Sequence, residues 1–220
     1  MANRQQVNTL PLRTISDFKS KLKGGGARPN LFEVRLDNLP DAAKDSTPGA
    51  YWGQQGQEDF AILCKAANLP ASTIASIDIP FRGRTLKVAG DRTIENWTVT
   101  IINDENFYIR TAMEAWMNGI AKLDNNTGAT NPGSYMESAT VHQLGRGYSQ
   151  GRHSEANSSS AGDTDVTPLK SYRFIDIFPV SVSSIDLSYD SSDTIEEFTV
   201  EFAVQSFESL STDATGVALS

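Results

Sequence analysis

The sequence holds one cysteine, Cys64, and two histidines, His142 and His153. A lone thiol excludes an internal disulfide and fits a reducing compartment. So few soft ligands cannot build a zinc finger or a multi-histidine metal site. No apolar run approaches the ~18 residues that cross a membrane. The opening stretch MANRQQVNTLPLR lacks the apolar segment of a secretory signal, so none is expected. P-loop, HExxH and GxSxG patterns are missing. The glycines from Gly145 to Gly151 have the wrong spacing for a dinucleotide fingerprint. Glu196 and Glu197 are adjacent, so in a strand they face opposite sides and cannot work as an acid–base pair. No catalytic residue, cofactor or metal is expected.

What is present suits one domain with extensions: 220 residues, of which 39% are hydrophobic. The net charge of −8 is unevenly spread. Residues 1–28 carry six Lys/Arg against Asp17; residues 163–220 carry eleven Asp/Glu against Lys170 and Arg173. A basic arm on an acidic body can pair head to tail with copies of itself, or serve as a nucleic-acid arm, or simply be solvated.

Residues 14–23 read as a short helix with a Thr14–Asp17 capping-box pair. Ile15, Phe18 and Leu22 share one face. Such a helix is below the ~12–15 residues that hold alone, so it needs a neighbour. Period-two alternation then predicts a strand at Phe32, Val34 and Leu36. Residues 40–59 read as a polar connection whose Tyr51 and Trp52 point to an interaction site, or else fold back on the core. Strands are expected over Phe60–Asn68, Ile74–Pro80, Thr85–Val88 and Arg92–Ile102. A long helix follows, capped by Asn103 or Asp104, with Ile109, Met113, Trp116, Ile120 and Leu123 as its apolar stripe. Residues 124–168 are rich in Gly, Ser, Asn and Thr, with order expected only at Tyr135-Met136 and Val141–Leu144. Arg146 and Arg152 in that stretch could touch phosphate or be a mobile loop. Residues 171–182, interrupted by Pro179, and Ile185–Tyr189 read as strands, and Asp190–Asp193 as a turn. In the last strand Phe198, Val200, Phe202 and Val204 point one way, and Glu197, Thr199, Glu201 and Gln205 the other. Cys64, in an apolar strand, is expected to be structural. The sum is a mainly β fold, an antiparallel sandwich or barrel of seven or eight strands with one helix packed outside.

Gly26-Ala27-Arg28-Pro29-Asn30-Leu31-Phe32-Glu33-Val34, Cys64-Lys65-Ala66-Ala67-Asn68-Leu69-Pro70 and Ile79-Pro80-Phe81-Arg82-Gly83-Arg84 resemble segments of the tail tube proteins of contractile-tailed phages of the T-even type. Lys87–Arg92, Trp97–Thr100, Asn103–Phe107 with Arg110 and Trp116, Tyr172-Arg173-Phe174, Phe178-Pro179 and Ile195–Val200 complete the match. The resemblance implies two packed antiparallel sheets flanked by a helix. It divides the chain into a basic arm (1–28), a tube domain (29–208) with an insertion at about 124–168, and a flexible tail (209–220). It implies hexameric rings stacked into a hollow tube inside a contractile sheath, part of the virion and assembled in the host cytoplasm. Implied partners are the chain itself, the sheath, the tape measure protein, baseplate and tube-terminator proteins, and double-stranded DNA in non-specific transit; no membrane anchor is implied. Ile15, Phe18, Leu22, Tyr51 and Trp52 are the expected inter-subunit contacts. Glu197, Thr199, Glu201 and Gln205 are the expected lumen face, the other reading being that they face the sheath. A tube of a bacterial injection or secretion system remains an alternative. So does a carbohydrate-binding sandwich stacking sugars on Tyr51, Trp52 and Tyr148.

Overall fold

The computed structural model describes residues 13–22, 25–40, 43, 52, 54–145, 168–190 and 193–210. Among them the helices are α1 (Ile15–Lys21), α2 (Gln54–Leu63) and α3 (Tyr108–Ile120). The strands are β1 (Phe32–Leu36), β2 (Cys64–Ala67), β3 (Ser72–Phe81), β4 (Arg84–Ile94), β5 (Trp97–Ile102), β6 (Glu137–Leu144), β7 (Pro168–Val182) and β8 (Glu197–Leu210).

Six strands form one antiparallel sheet in the order β1-β6-β7-β8-β5-β2. The sheet curls until its two edge strands approach each other, giving a nearly closed barrel. Helix α2 packs on β1 and also touches β2 and β5, so it covers the remaining seam. Helix α3 packs against β7 and α2. The mainly β, antiparallel, helix-flanked architecture is the expected one. The second sheet is the β3–β4 hairpin alone.

Apolar alternation fills the barrel. Trp97, Val99 and Ile101 of β5 and Phe198, Val200 and Phe202 of β8 are all fully buried or within 1% of it. The Trp97 ring lies 4.8 Å from that of Phe174 and 5.2 Å from that of Phe202. From α3, Trp116 joins this cluster and its Nε1 donates to the Tyr135 carbonyl at 2.7 Å. This burial is the main source of stability, at roughly 25 cal/mol per Å² of apolar surface.

Five local expectations are corrected. Phe60–Leu63 is the end of a helix, and only Cys64–Ala67 is strand. The stretch Gln54–Leu63 is rich in helix formers, and the Gln55 amide bonds the Asp59 carboxylate one turn on. Consequently more than one helix flanks the sheet. The expected strand Arg92–Ile102 breaks at Glu95-Asn96, where the chain leaves the hairpin and enters the six-stranded sheet. Asn103 and Asp104 do not cap α3. Its cap residue is Phe107, held at φ 56°, and Asn103 instead ties β5 to the entry of β8 through the Glu196 side chain and carbonyl. Ile185–Tyr189 forms no strand. The stripe of α3 holds for Ile109, Met113 and Trp116, whereas Leu123 lies past the helix end and is 98% exposed.

Gly128 closes the turn after α3. A Cβ there would fall 1.9 Å from the Ile120 carbonyl oxygen, which is backbone and has little room to yield. Gly128→Ala is therefore expected to lower stability by about 3 kcal/mol. A urea unfolding midpoint unchanged from wild type would refute it.

Candidate assembly surfaces

The polar side of β8 is built as the alternation demands. Phe198, Val200 and Phe202 are buried, and Val204 packs on the core, so Glu197, Thr199 and Glu201 face outward with Gln205. Register then brings partners to them. The Lys65 ammonium lies 2.5 Å from the Glu197 carboxylate. Asn96 donates to Glu201 at 2.8 Å, and the Thr100 and Thr199 hydroxyls meet at 3.4 Å. Further round the sheet Arg35 pairs with Glu33, and Arg173 lies 3.7 Å from Asp37. Among the described residues the face is hydrophilic and mixed in sign, its cations Lys65, Arg35 and Arg173 each set against a carboxylate. Exposed pairs of this kind contribute about 0–1 kcal/mol each.

The β3–β4 hairpin is the opposite kind of surface. Arg82 and Gly83 both have positive φ, 46° and 78°, which gives the two-residue turn that matches strand twist. Ile77 stands opposite Val88 and Ile79 opposite Leu86, with Phe81 next in line. These five side chains form one apolar face, each between 42% and 66% exposed. The other face carries Asp78 and Lys87, 3.6 Å apart. Among the described residues each strand also keeps one free edge. A contiguous apolar face on a two-edged ribbon is the kind of surface that other chains cover. The sequence shows the two strands but not their exposure, because period-two alternation looks the same whether the apolar face is covered by its own chain or by another.

On α1 the capping box forms as expected: the Thr14 N–H donates to the Asp17 carboxylate at 2.9 Å. Ile15, Phe18 and Leu22 are 74%, 65% and 45% exposed. The expectation for Trp52 is corrected. It is 4% exposed and sits in the core with its ring 6.1 Å from that of Phe60, so its own chain covers it. Tyr51, Tyr148, Arg146 and Arg152 lie outside the described residues.

Titratable chemistry is sparse. Among the described residues no three His, Cys, Asp or Glu side chains gather as a metal site, and no helix is long and apolar enough to cross a membrane. The His142 ring nitrogen Nδ1 lies 2.7 Å from the Ser171 hydroxyl. Burial, then the charge of Arg35, hold its pKa below the ordinary value, against Glu33 and Asp37. The fold thus keeps this ring neutral and loses stability as pH falls through the unfolded value of about 6.5. Burial pushes the Cys64 thiol from 9.0 up to about 12, against a smaller lowering from backbone hydrogen bonding at Ala66. That is about a thousandfold less thiolate. Cys64 is expected to resist maleimide in native protein at pH 8 and to react fully in urea; equal rates in both would place the thiol at the surface.

The sequence model described as "Phage tail tube protein" matches residues 27–209. Tail tube protein gp19 of Enterobacteria phage T4 is 31% identical over 185 residues, covering 84% of this chain and 93% of that protein. Among solved structures, the tube-terminating cap of the anti-feeding prophage superposes with a TM-score of 0.52 at 14% identity, covering 95% of this chain and 99% of that one. A chain of the PVC extracellular contractile injection system, from its sheath–tube complex, superposes with a TM-score of 0.50 at 13% identity, covering 88% and 97%. At such identity the likeness is one of fold.

Proposed function

This chain belongs to the phage tail tube protein family, and on that premise we propose that it closes into six-fold rings that stack as the hollow tube of a contractile tail. The tube runs inside the sheath, encloses a tape measure protein during assembly, meets baseplate and tube-terminator proteins at its ends, and conducts double-stranded DNA on infection. The subunit assembles in the host cytoplasm and remains in the virion. Its role is structural rather than catalytic. Residues 1–28 act as an assembly arm, 29–208 as the tube body and 209–220 as a tail.

The observation that carries this reading is the uncovered apolar face of the β3–β4 hairpin. A subunit that lends a ribbon to its neighbour removes free edges and apolar exposure in one step. The polar side of β8 serves as the lumen wall, through Glu197, Thr199, Glu201 and Gln205. A conduit must not hold what it conducts, and phosphate binds clustered cations by counterion release. At −8 per chain a six-fold ring carries about −48. A second reading, the tube of a contractile injection system, is favoured by the fold shared with the PVC chain. It gives the same rings with a different cargo.

Negative-stain images of purified protein, alone and with a baseplate seed, are expected to show rings and then tubes. Monomer in both conditions would overturn the tube reading.

A further inference from the structure

Besides the hairpin, two further surfaces are apolar, uncovered among the described residues and different from each other. One is the stripe of α1, a helix of seven residues with none buried. A capping box supplies about 1 kcal/mol, and so short a helix does not hold in water without packing. The other is a groove of about 540 Å³ between α3 and the end of β7. It opens where β7 has run past β6, whose last paired residue, Glu137, stands opposite Ile177. Phe178, Val180 and Val182 form one wall; Met117, Ile120 and Ala121 form the other.

Arg110 bridges the two walls of the groove. Its Nε donates to Glu114 at 2.8 Å and its Nη1 to the Ser183 carbonyl at 3.2 Å, so α3 is tied to the segment following β7. A preformed groove lowers the cost of docking. The charges also match. On α1, Lys19 and Lys21 flank the apolar stripe on either side. On the groove, α3 has no basic residue in its last turn, so the negative end of its dipole is left to Lys122 beyond the cap and to whatever docks there. Glu114 lines the same groove with its side chain 56% exposed.

We propose that α1 of one copy lies in the α3–β7 groove of a second copy, with Ile15, Phe18 and Leu22 turned into it and the two lysines toward Glu114 and the helix end. The proposal rests on the tube reading above and names the receptor for the arm. Donor and acceptor are different surfaces, so the contact is head to tail. It propagates through a ring or a stack instead of closing a pair. Within one chain α1 stays exposed while its own groove stands open.

The test uses the sealed state of Cys64, which leaves a quiet background for introduced thiols. Phe18→Cys and Val180→Cys, both at exposed positions, are made as separate full-length variants, mixed, assembled and treated with a short bis-maleimide. A covalent dimer in the mixture, absent from either variant alone, is the expected result. Assembled material without that dimer overturns the proposal and leaves the tube reading intact. No assembly by wild-type protein overturns the tube reading itself. Wild-type protein gives a second readout through hydrogen exchange. On assembly, amides of residues 15–22 and 114–123 are expected to slow together by tenfold or more. Protection of one segment without the other refutes the pairing.

Discussion

A subunit carrying Ile79→Asp and Leu86→Asp is expected to fold normally and to stay out of rings. The two residues are directly opposed on the apolar face of the hairpin, 46% and 61% exposed. Within the chain they support little more than each other, a cross-strand pair worth about 0.2–1 kcal/mol. Against a neighbouring subunit each would bury most of a side chain, worth about 1.5–3 kcal/mol. Two carboxylates in their place add a desolvation cost. The loss is about 4 kcal/mol or more per contact, near a thousandfold in association. Sedimentation velocity should show monomer at concentrations where wild type forms rings, while the thermal midpoint moves by only a few degrees. Rings at the wild-type concentration would remove the hairpin from the interface.

Reversing the polar side of β8 should give the complementary phenotype. Glu197→Lys with Glu201→Lys is expected to build tubes of normal appearance that release DNA slowly. Folding loses little. The Lys65–Glu197 pair is half exposed and contributes at most about 1 kcal/mol, and Glu201 gives up its bond from Asn96. The wall changes much more, by four charges per subunit or about 24 per six-fold ring, each new cation a contact for phosphate. Such contacts are screened over roughly 8 Å at physiological salt, so the delay should be greatest at low salt. DNA release at the wild-type rate in low salt would assign this face to the sheath side.

The closing strands were legible because both sides of β8 obey a simple rule: apolar residues meet the core and polar ones do not. The capping box of α1 was legible for a similar reason, since Thr14 and Asp17 satisfy each other within one turn. Helix α2 was not. Phe60–Leu63 is an unbroken apolar run, and period alone cannot separate a buried strand from a helix end. The burial of Trp52 is not legible, because a large aromatic in a polar segment gives no sign of which chain covers it. Its tertiary partner, Phe60, lies only eight positions away, but on a helix that the local pattern does not reveal. The α3–β7 groove left no signature, since it depends on where β7 outruns β6.

Asp176, at φ 56°, marks a change of step in the two longest strands. Phe174 and Ile177 are both buried, and Val204 and Phe207 both pack on the core, each pair three residues apart. One extra residue in each strand absorbs the slip, and the rungs on either side keep their register. Strands of 14 and 15 residues would run nearly 50 Å if straight, too long for a small closed barrel. The paired slip acts as a crease folded into the wall, letting it turn a corner without opening a seam. A β-branched replacement at Asp176 would hold that positive φ only under strain, and the cost would fall on the curvature of the wall.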